Sequence, residues 1–224
     1  MSFAQSILQY YKQLATPAKL PADIETMNPY QDEQAFELTR QFYEKYYNDS
    51  KKRIICFGIN PGRFGGGITG IPFTDPINLE DSCGIKNHLQ RKPELSSRFI
   101  YDMIFALGGP DVFYQHVFIS AVSPLGYIKD GFNLNYYDVK GYKSVFEEYV
   151  VDEIKKQLEL PVRTDIAFSI GKGKNIEFLK FLNKKYALFQ EIRPLPHPRW
   201  VMQYRLKRKA EFIQQYVDEL QPLF

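Results

Sequence analysis

Short apolar runs alternate with amphipathic helical patterns along most of this chain, and this alternation constrains the fold more than any other feature. Four runs have the length and composition of buried strands. They are residues 53–58, 117–122, 165–170 and a weaker run at 187–192. Helical patterns lie between them at about 98–107, 143–158 and 175–186, and a further one covers 200–220. Strands that alternate with helices predict an α/β domain with a parallel sheet and right-handed crossovers.

Residues 1–50 precede this alternation and have a helical pattern of their own. Ser2 is a candidate N-cap for a first helix that ends before Pro17, and an aromatic-rich second helix is predicted over about 32–47. Aromatic stripes of this kind form core contacts more often than binding sites. The chain has 224 residues, enough for one sizeable core and too few for two typical domains. We therefore expect one domain, 1–224, with a helical extension, 1–50, packed on it.

The small stock of metal-binding side chains excludes several classes of site. Two cysteines and three histidines cannot supply an iron–sulfur cluster, a four-cysteine zinc site or a disulfide framework. We therefore predict chemistry without a metal ion or another cofactor. No apolar run approaches the roughly 20 residues that span a bilayer, and residues 1–6 lack the features of a signal peptide. With few cysteines, this pattern favours a cytoplasmic protein without a membrane partner.

The formal net charge of +3 is uninformative as a total, but its distribution is uneven. Residues 1–50 carry seven acidic and four basic side chains, whereas residues 192–210 carry six basic and no acidic ones. The C-terminal stretch is therefore a candidate contact for an anion such as DNA. A solvated basic helix face is the alternative.

In an open parallel sheet, ligands bind beyond the carboxyl ends of the strands, so the segments that follow the four runs form the candidate site. They are residues 59–75, 123–127, 171–174 and 193–200. The first is rich in glycine, with five glycines from Gly58 to Gly67 and a sixth at Gly70. This density allows positive φ angles and a close approach of the backbone to a ligand. The pattern of a nucleotide phosphate loop is absent, which argues against that alternative.

Two of these segments carry motifs with a family resemblance. GINPG at 58–62 resembles the first motif of the uracil-DNA glycosylase superfamily, in the form found in its mismatch-specific and single-strand-selective monofunctional branches. The longer string 58–73 is similar to the single-strand-selective branch in particular. PHPR at 196–199 resembles the second motif of the superfamily. The motifs occur in the family's order, and the resemblance covers about 53–204.

This resemblance implies a three-layer α/β/α sandwich with a central, mainly parallel four-stranded sheet. It implies a monofunctional DNA glycosylase of base-excision repair, which flips a deaminated base out of single- or double-stranded DNA and hydrolyses its N-glycosidic bond. Asn60 would orient the attacking water, and His197 would donate a hydrogen bond to the oxygen of the departing base. An Asx turn before Pro61 and a capped turn between two prolines are the structural alternatives for these residues.

The resemblance also indicates which residues surround the base. Phe73 matches the aromatic side chain on which the extruded base stacks, with a core phenylalanine as the alternative. Asp75 is better explained as the N-cap of a helix that begins at Pro76 than as a catalytic carboxylate. The full set predicted to bind substrate is Gly58, Ile59, Gly62, Phe64, Phe73, Ala121 and Ser123.

The segment after the second strand departs from the family pattern. When aligned on Pro124 and Leu125, Ala121 occupies the position where the single-strand-selective branch has an asparagine that binds the uracil edge. A methyl group cannot make those hydrogen bonds, so we expect weaker selection for uracil and a larger pocket. Such departures resemble a second subtype of the branch, which acts on deaminated bases beyond uracil, xanthine and hypoxanthine among them.

Basic and aromatic residues near these segments are the predicted DNA contacts. The second motif lacks the family's extra residues before its arginine, so either Arg199 or Trp200 would fill the space that the flipped nucleotide leaves. Core packing is the alternative for the tryptophan, and a plain helix start is the alternative for residues 171–175. The predicted DNA contacts are Arg63, Lys172, Lys174, Arg199, Trp200 and Arg205.

Two other functions remain open at this point: a DNA-binding protein without catalytic activity, and an α/β enzyme that acts on a free nucleotide or another phosphorylated metabolite. Within the glycosylase hypothesis, no lysine or N-terminal proline is placed to form a Schiff base, which indicates a monofunctional enzyme. We expect Cys56 to be an inert buried thiol and Cys83 to be a poor nucleophile.

Overall fold

A parallel four-stranded sheet forms the centre of the molecule in a computed structural model that describes residues Met1–Phe224. A second, smaller sheet is antiparallel. The strands are β1 (Glu25–Met27), β2 (Arg53–Gly58), β3 (Val117–Ala121), β4 (Gly126–Lys129), β5 (Phe132–Leu134), β6 (Val162–Ile170) and β7 (Glu191–Leu195).

Ten helices surround these strands. They are α1 (Phe3–Lys12), α2 (Glu33–Tyr46), α3 (Gly66–Thr69), α4 (Pro76–Asp81), α5 (Leu95–Ala106), α6 (Pro110–His116), α7 (Tyr142–Leu158), α8 (Lys174–Tyr186), α9 (Pro198–Tyr204) and α10 (Lys209–Leu220). Short 3₁₀ turns cover Pro29–Gln31, Tyr136–Asp138, Leu206–Arg208 and Gln221–Leu223. None of the helices is both long and apolar enough to cross a membrane.

The large sheet has the order β3-β2-β6-β7, and every neighbouring pair is parallel. On one face α1, α7 and α8 cover it, with Gln157 of α7 bonded to Ser120 of β3 and Asn175 of α8 bonded to Ser169 of β6. On the other face α5 and α10 pack together, with the Phe99 and Tyr216 rings 5.4 Å apart. The α/β prediction and the three-layer α/β/α arrangement are therefore confirmed.

The small sheet, of order β1-β4-β5, was not predicted. Its strands are only three or four residues long, too short to give a clear alternating pattern. A tight turn joins β4 to β5 through Asp130 and Gly131, which both have positive φ angles. Strand β1 belongs to the N-terminal part of the chain, so this sheet ties residues 25–27 to the loop that follows β3.

Two predicted elements differ from the structure. The strand predicted at 187–192 lies at 191–195, because Ala187 ends α8 in a left-handed conformation (φ 51°) and the chain needs three more residues to reach the sheet. The helix predicted over 200–220 is two helices separated by a 3₁₀ turn. Leu206, which a single helix would place on the same face as Val217 and Leu220, lies in that turn and is 57% exposed.

The helices of the N-terminal part begin where local chemistry predicts. Ser2 caps α1 in a reciprocal capping box with Gln5, and Asp32 caps α2 by accepting a hydrogen bond from the Ala35 N–H. Helix α1 then packs on the large sheet through Phe3, whose ring lies 5.0 Å from that of Phe118 on β3. The aromatic side chains of α1 and α2 are mostly buried, as expected for core contacts.

Candidate active site

A cavity of about 370 Å³ lies at the carboxyl ends of the strands of the large sheet. Residues that follow or end all four strands line it: Asn60 after β2, Ala121 on β3, Gly171 after β6 and His197 after β7. Two segments supply most of its functional groups, residues 58–73 (here the glycine loop) and residues 196–205 (the histidine loop). The sheet topology thus brings together the two motifs, whose candidate catalytic residues Asn60 and His197 are 137 positions apart in sequence.

The Asn60 side chain is fixed by three backbone groups. Its Oδ1 accepts a hydrogen bond from the Tyr136 N–H (3.0 Å), and its Nδ2 donates to the carbonyl oxygens of Leu134 (3.2 Å) and Pro61 (3.3 Å). A flipped amide would place NH₂ against an N–H and oxygen against two carbonyls, so the orientation is determined. Both amide hydrogens are therefore engaged, and Oδ1 keeps one lone pair.

The His197 side chain caps α9 and is thereby held as one tautomer. Its Nδ1 accepts a hydrogen bond from the Arg199 N–H (3.2 Å), which leaves the proton of the neutral ring on Nε2. Burial, together with the nearby Arg199 guanidinium, lowers the pKa of His197 to about 4. At neutral pH the ring is an uncharged hydrogen-bond donor on the wall of the cavity.

Phe73 stands between the two motifs in a strained backbone conformation. Its φ of 53° lies in the left-handed region, which bulky side chains rarely adopt. The ring packs on Gly58, where a Cβ atom would lie 3.0 Å from it, and its centroid lies 6.2 Å from that of His197. Gly58 is thus a glycine because an aromatic ring lies directly on its backbone.

Most of the residues predicted to bind substrate line this cavity, and one does not. Gly58, Ile59, Gly62, Phe64, Phe73 and Ala121 all do. Ser123 is fully buried elsewhere, where its hydroxyl shares a hydrogen bond with the Tyr127 hydroxyl (2.7 Å). The prediction for Ser123 was wrong, because the chain turns after β3 and directs this side chain into the core.

Two further predictions from local chemistry are confirmed. Asp75 caps α4 by accepting from the Asn78 N–H, and its second oxygen accepts from the Glu94 N–H, so this carboxylate is structural. Cys56 and Cys83 are both buried, and burial raises the pKa of each thiol. Neither cysteine therefore has the accessible, low-pKa thiolate that a nucleophile needs.

The predicted DNA contacts fall into two groups. Lys172, Arg199 and Trp200 line the cavity, whereas Arg63, Lys174 and Arg205 lie outside its lining. The guanidinium group of Arg63 donates to the Gly131 carbonyl and lies over the Phe64 ring. Lys174 pairs with Asp138 at 3.6 Å.

Trp200 lies at the surface, and its side chain is packed against other residues. Its side chain is 40% exposed, and its ring packs edge-on against Phe212 of α10 at 5.6 Å. The Arg205 guanidinium lies over the same ring at 5.1 Å. Arg199 approaches only the Glu94 carboxylate, at 3.8 Å, and is more loosely held than the tryptophan.

Sequence reasoning missed the contribution of the N-terminal part and of the β5 region to this cavity. Tyr11 and Tyr30 line it, and so do Leu134 and its two flanking asparagines, Asn133 and Asn135. The two asparagines that flank Leu134, just after a turn that contains glycine, were a signal that could have identified the β5 residues. No pattern distinguishes Tyr11 and Tyr30 from the core tyrosines around them.

Comparisons with known proteins agree with this architecture. The model of the Uracil DNA glycosylase superfamily matches residues 44–221. The crystal structure of wild-type Pedobacter heparinus SMUG2 superimposes with a TM-score of 0.95 and 42% identity, covering 100% of this chain and 98% of that one.

Two mammalian relatives match over a shorter stretch. The single-strand selective monofunctional uracil DNA glycosylase of Bos taurus is 27% identical over 110 residues, 42% of this chain and 40% of that protein. Its Rattus norvegicus counterpart is 28% identical over 108 residues, 41% of this chain and 38% of that protein. These matched stretches span less than half the length of either relative.

Proposed function

Because the chain belongs to the uracil DNA glycosylase superfamily, we propose that it is a monofunctional DNA glycosylase that extrudes a deaminated base and hydrolyses its N-glycosidic bond. The observation that carries this proposal is the meeting of Asn60 and His197 in one cavity, each with its hydrogen-bonding role fixed by backbone groups. The bond breaks with the base leaving as an anion while positive charge develops on the sugar, so the reaction needs a hydrogen-bond donor for the base and a positioned water.

Asn60 supplies the acceptor that positions the water. Both hydrogens of its amide are engaged by Leu134 and Pro61, so the group offers nothing but the remaining lone pair of Oδ1. A water that donates a hydrogen bond to this oxygen directs its own lone pair toward the sugar. Its oxygen forms the new bond to the sugar carbon as the bond to the base breaks, and the proton that it loses neutralises the departing base anion. Because the amide is uncharged, it stabilises the cationic sugar less than a carboxylate would, and we expect slow chemistry.

His197 supplies the donor for the departing base. Its Nε2–H is directed by the hydrogen bond that Nδ1 accepts from Arg199, and the pKa of about 4 keeps the ring neutral. A neutral imidazole donates a hydrogen bond to the developing oxyanion and keeps its proton. A preorganised donor of this kind contributes about 3–4 kcal/mol to transition-state stabilisation in other enzymes.

The base itself stacks on Phe73, and the pocket admits bases larger than uracil. Ala121 at the end of β3 contributes only a methyl group to the cavity wall, so no side-chain amide at this position selects the uracil edge. We infer that uracil is a substrate and that the deaminated purines hypoxanthine and xanthine are substrates as well. Stacking on one aromatic ring is worth roughly 1–3 kcal/mol for any of these bases.

DNA approaches along the exposed side of the histidine loop. Lys172 on the cavity wall and Arg205 at the end of α9 are the proposed phosphate contacts. We assign the space-filling role in the duplex to Arg199, because Phe212 and Arg205 already hold the Trp200 ring. The proposed substrate also places the protein in the compartment that contains chromosomal DNA.

One assay tests this function. The protein, in excess, is incubated with single- and double-stranded oligonucleotides that contain uracil, hypoxanthine or xanthine, and alkali then cleaves any abasic site. We expect cleavage at uracil, which the Asn60→Ala and His197→Ala variants lose while they remain folded. His88→Ala is the matched control, because His88 is exposed and lies outside the cavity.

The alternatives give different results in the same experiment. DNA binding without cleavage on any substrate would favour a non-catalytic DNA-binding protein. An absence of DNA binding, combined with thermal stabilisation by free nucleotides, would favour an enzyme that acts on phosphorylated metabolites.

A further inference from the structure

The N-terminal segment, residues 3–43, contributes to the cavity although it precedes the residues that match the superfamily. Tyr11 of α1 and Tyr30 of the following 3₁₀ turn line the same cavity as Asn60 and His197. Their rings stack face to face, with centroids 3.9 Å apart and planes inclined by 7°. The segment therefore builds part of the site.

Burial and hydrogen bonds hold the two residues in this position. The Tyr11 hydroxyl shares a hydrogen bond of 2.9 Å with the Tyr43 hydroxyl, and the Tyr30 N–H donates to Asn28 Oδ1 at 3.0 Å. Both side chains are almost fully buried, and burial raises the pKa of each phenol, so both stay uncharged at neutral pH. A stacked and buried pair of rings forms a wall that a ligand can contact.

The same segment also fixes the distance between this wall and the glycine loop. The Met27 side chain packs on Gly67, where a Cβ atom would lie 2.6 Å from the Gly62 carbonyl oxygen and would overlap the methionine. The Thr39 hydroxyl contacts the Thr69 carbonyl at 3.2 Å and leaves no room for a Cβ atom at Gly70. The glycines at 67 and 70 therefore let the N-terminal segment close on the loop.

We propose that the Tyr11–Tyr30 pair is the inner wall of the base pocket and determines the size of the base that the enzyme accepts. This inference rests on the proposed function. Two residues of β3 line the same cavity: Ala121 offers only a methyl group, and the Ser120 hydroxyl is bonded to Gln157. These rings, and not a side chain of β3, therefore limit the depth of the pocket. The second ring of a purine reaches the wall and contacts it, whereas the single ring of a pyrimidine ends short of it.

The test compares purine and pyrimidine excision in Tyr30→Leu. Single-turnover rates are measured on oligonucleotides that contain hypoxanthine, xanthine or uracil. We expect the ratio of purine to uracil excision to fall about tenfold, the effect of losing one aromatic contact to a base, while uracil excision stays near the wild-type rate. Tyr30→Phe keeps the ring and should keep the wild-type ratio.

Tyr46→Leu is the matched control, because Tyr46 and Tyr30 are both 8% exposed and Tyr46 lies outside the cavity. It should lose stability without a change in the ratio. A parallel loss of purine and uracil excision in Tyr30→Leu would assign Tyr30 a structural role and overturn the inference.

A second variant keeps the test decisive if Tyr30→Leu does not fold. Tyr30→Trp places a larger ring at the proposed wall, and it should lower purine excision more than uracil excision. Equal effects on both substrates would overturn the inference. A wild-type protein that excises uracil but no purine would overturn this inference alone, whereas one that excises neither would overturn the proposed function and this inference with it.

Discussion

The glycine loop and the histidine loop meet in one cavity but are held in opposite ways. The glycine loop follows a fully buried strand, three backbone groups fix its Asn60, and the N-terminal segment packs on it at Gly67 and Gly70. In the histidine loop, a single hydrogen bond orients His197, and Trp200 and Arg205 are exposed. One half of the site is built into the core, and the other places exposed cations and an exposed tryptophan beside the partly buried His197.

This difference separates two tasks of a base-excising enzyme. A water that attacks the sugar must be positioned before the base leaves. An amide that is already fixed in the core positions this water without any reorganisation during the reaction. DNA, by contrast, must reach the site and be released, which requires accessible cations on mobile side chains. Substitutions in the glycine loop should therefore change folding stability as well as activity, whereas those in the histidine loop should change activity and binding.

The largest expected effect is on catalysis, in His197→Ala. Loss of the Nε2–H donor should reduce the single-turnover rate of uracil excision by about 10²–10³, or 3–4 kcal/mol. Stability should fall by only about 1 kcal/mol, because the one interaction lost by the fold is the α9 cap. Urea denaturation and single-turnover kinetics on the same preparation measure the two effects. A stability loss that exceeds the catalytic loss would contradict the division between the loops.

The next effect is on stability, in Gly70→Ala. This residue has a φ of 73°, and a Cβ atom there would overlap the Thr39 hydroxyl, so backbone strain adds to overpacking. We expect the free energy of unfolding to fall by about 3 kcal/mol, measured by urea denaturation. Gly141→Ala is the control: its φ of 69° lies in the same left-handed region and the added Cβ would have only an ordinary contact, 3.7 Å from Ser144 Oγ, so strain alone should cost about 1 kcal/mol. Equal losses would show that the N-terminal segment does not hold the loop.

Sequence patterns were sufficient to predict the elements whose structure is determined by residues that are close in the chain. The strand at 53–58 has the predicted bounds because all six of its residues are buried. The predicted caps Ser2 and Asp75 each bond to a residue three positions away. Sequence patterns failed where contacts with a distant segment determine the position of a residue. Ser123 turns into the core to reach Tyr127, and Leu206 is exposed because α9 and α10 are separate helices.

Contacts between distant segments account for what the sequence could not show of the site. The glycine density near residue 67 indicated a close approach of the backbone to a ligand, yet Gly67 and Gly70 accommodate Met27 and Thr39 of the same chain. Nothing in the spacing of Tyr11 and Tyr30 relates them to Asn60. Their shared cavity follows from how α1 packs on the sheet, which is a property of the whole core.

A smaller effect is expected on the pH dependence of stability. The pKa of His197 is about 4 in the folded protein and about 6.5 in an unfolded chain, so the unfolded chain binds more protons between these values. The contribution of His197 is complete above pH 7, and stability should fall by about 2.5 kcal/mol as the pH decreases from 6.5 to 4.

Urea denaturation across this pH range measures that loss. His197→Ala should lack this part of the pH dependence and keep the part due to His116, whose pKa is also lowered by burial and nearby cations. The single-turnover rate of the wild-type protein should stay level from pH 8 to about pH 5, because His197 remains neutral. A rate that follows a group with a pKa near 6.5 would show that the histidine loop leaves His197 as accessible as an ordinary surface histidine.

The smallest effect concerns single cations at the exposed side of the cavity. Lys172 lines the cavity and has no ion-pair partner, whereas Lys174, two residues later, already pairs with Asp138. A cation that is free before DNA arrives gains a full phosphate contact, and one that must first leave a carboxylate gains less. Lys172→Ala should therefore weaken DNA binding a few-fold and reduce the slope of log K against log salt by about 0.9, and Lys174→Ala should change the slope less. Fluorescence anisotropy at several salt concentrations measures both slopes. A larger change in Lys174→Ala would mean that DNA breaks the ion pair between Lys174 and Asp138. The exposed side of the site would then rearrange when DNA binds.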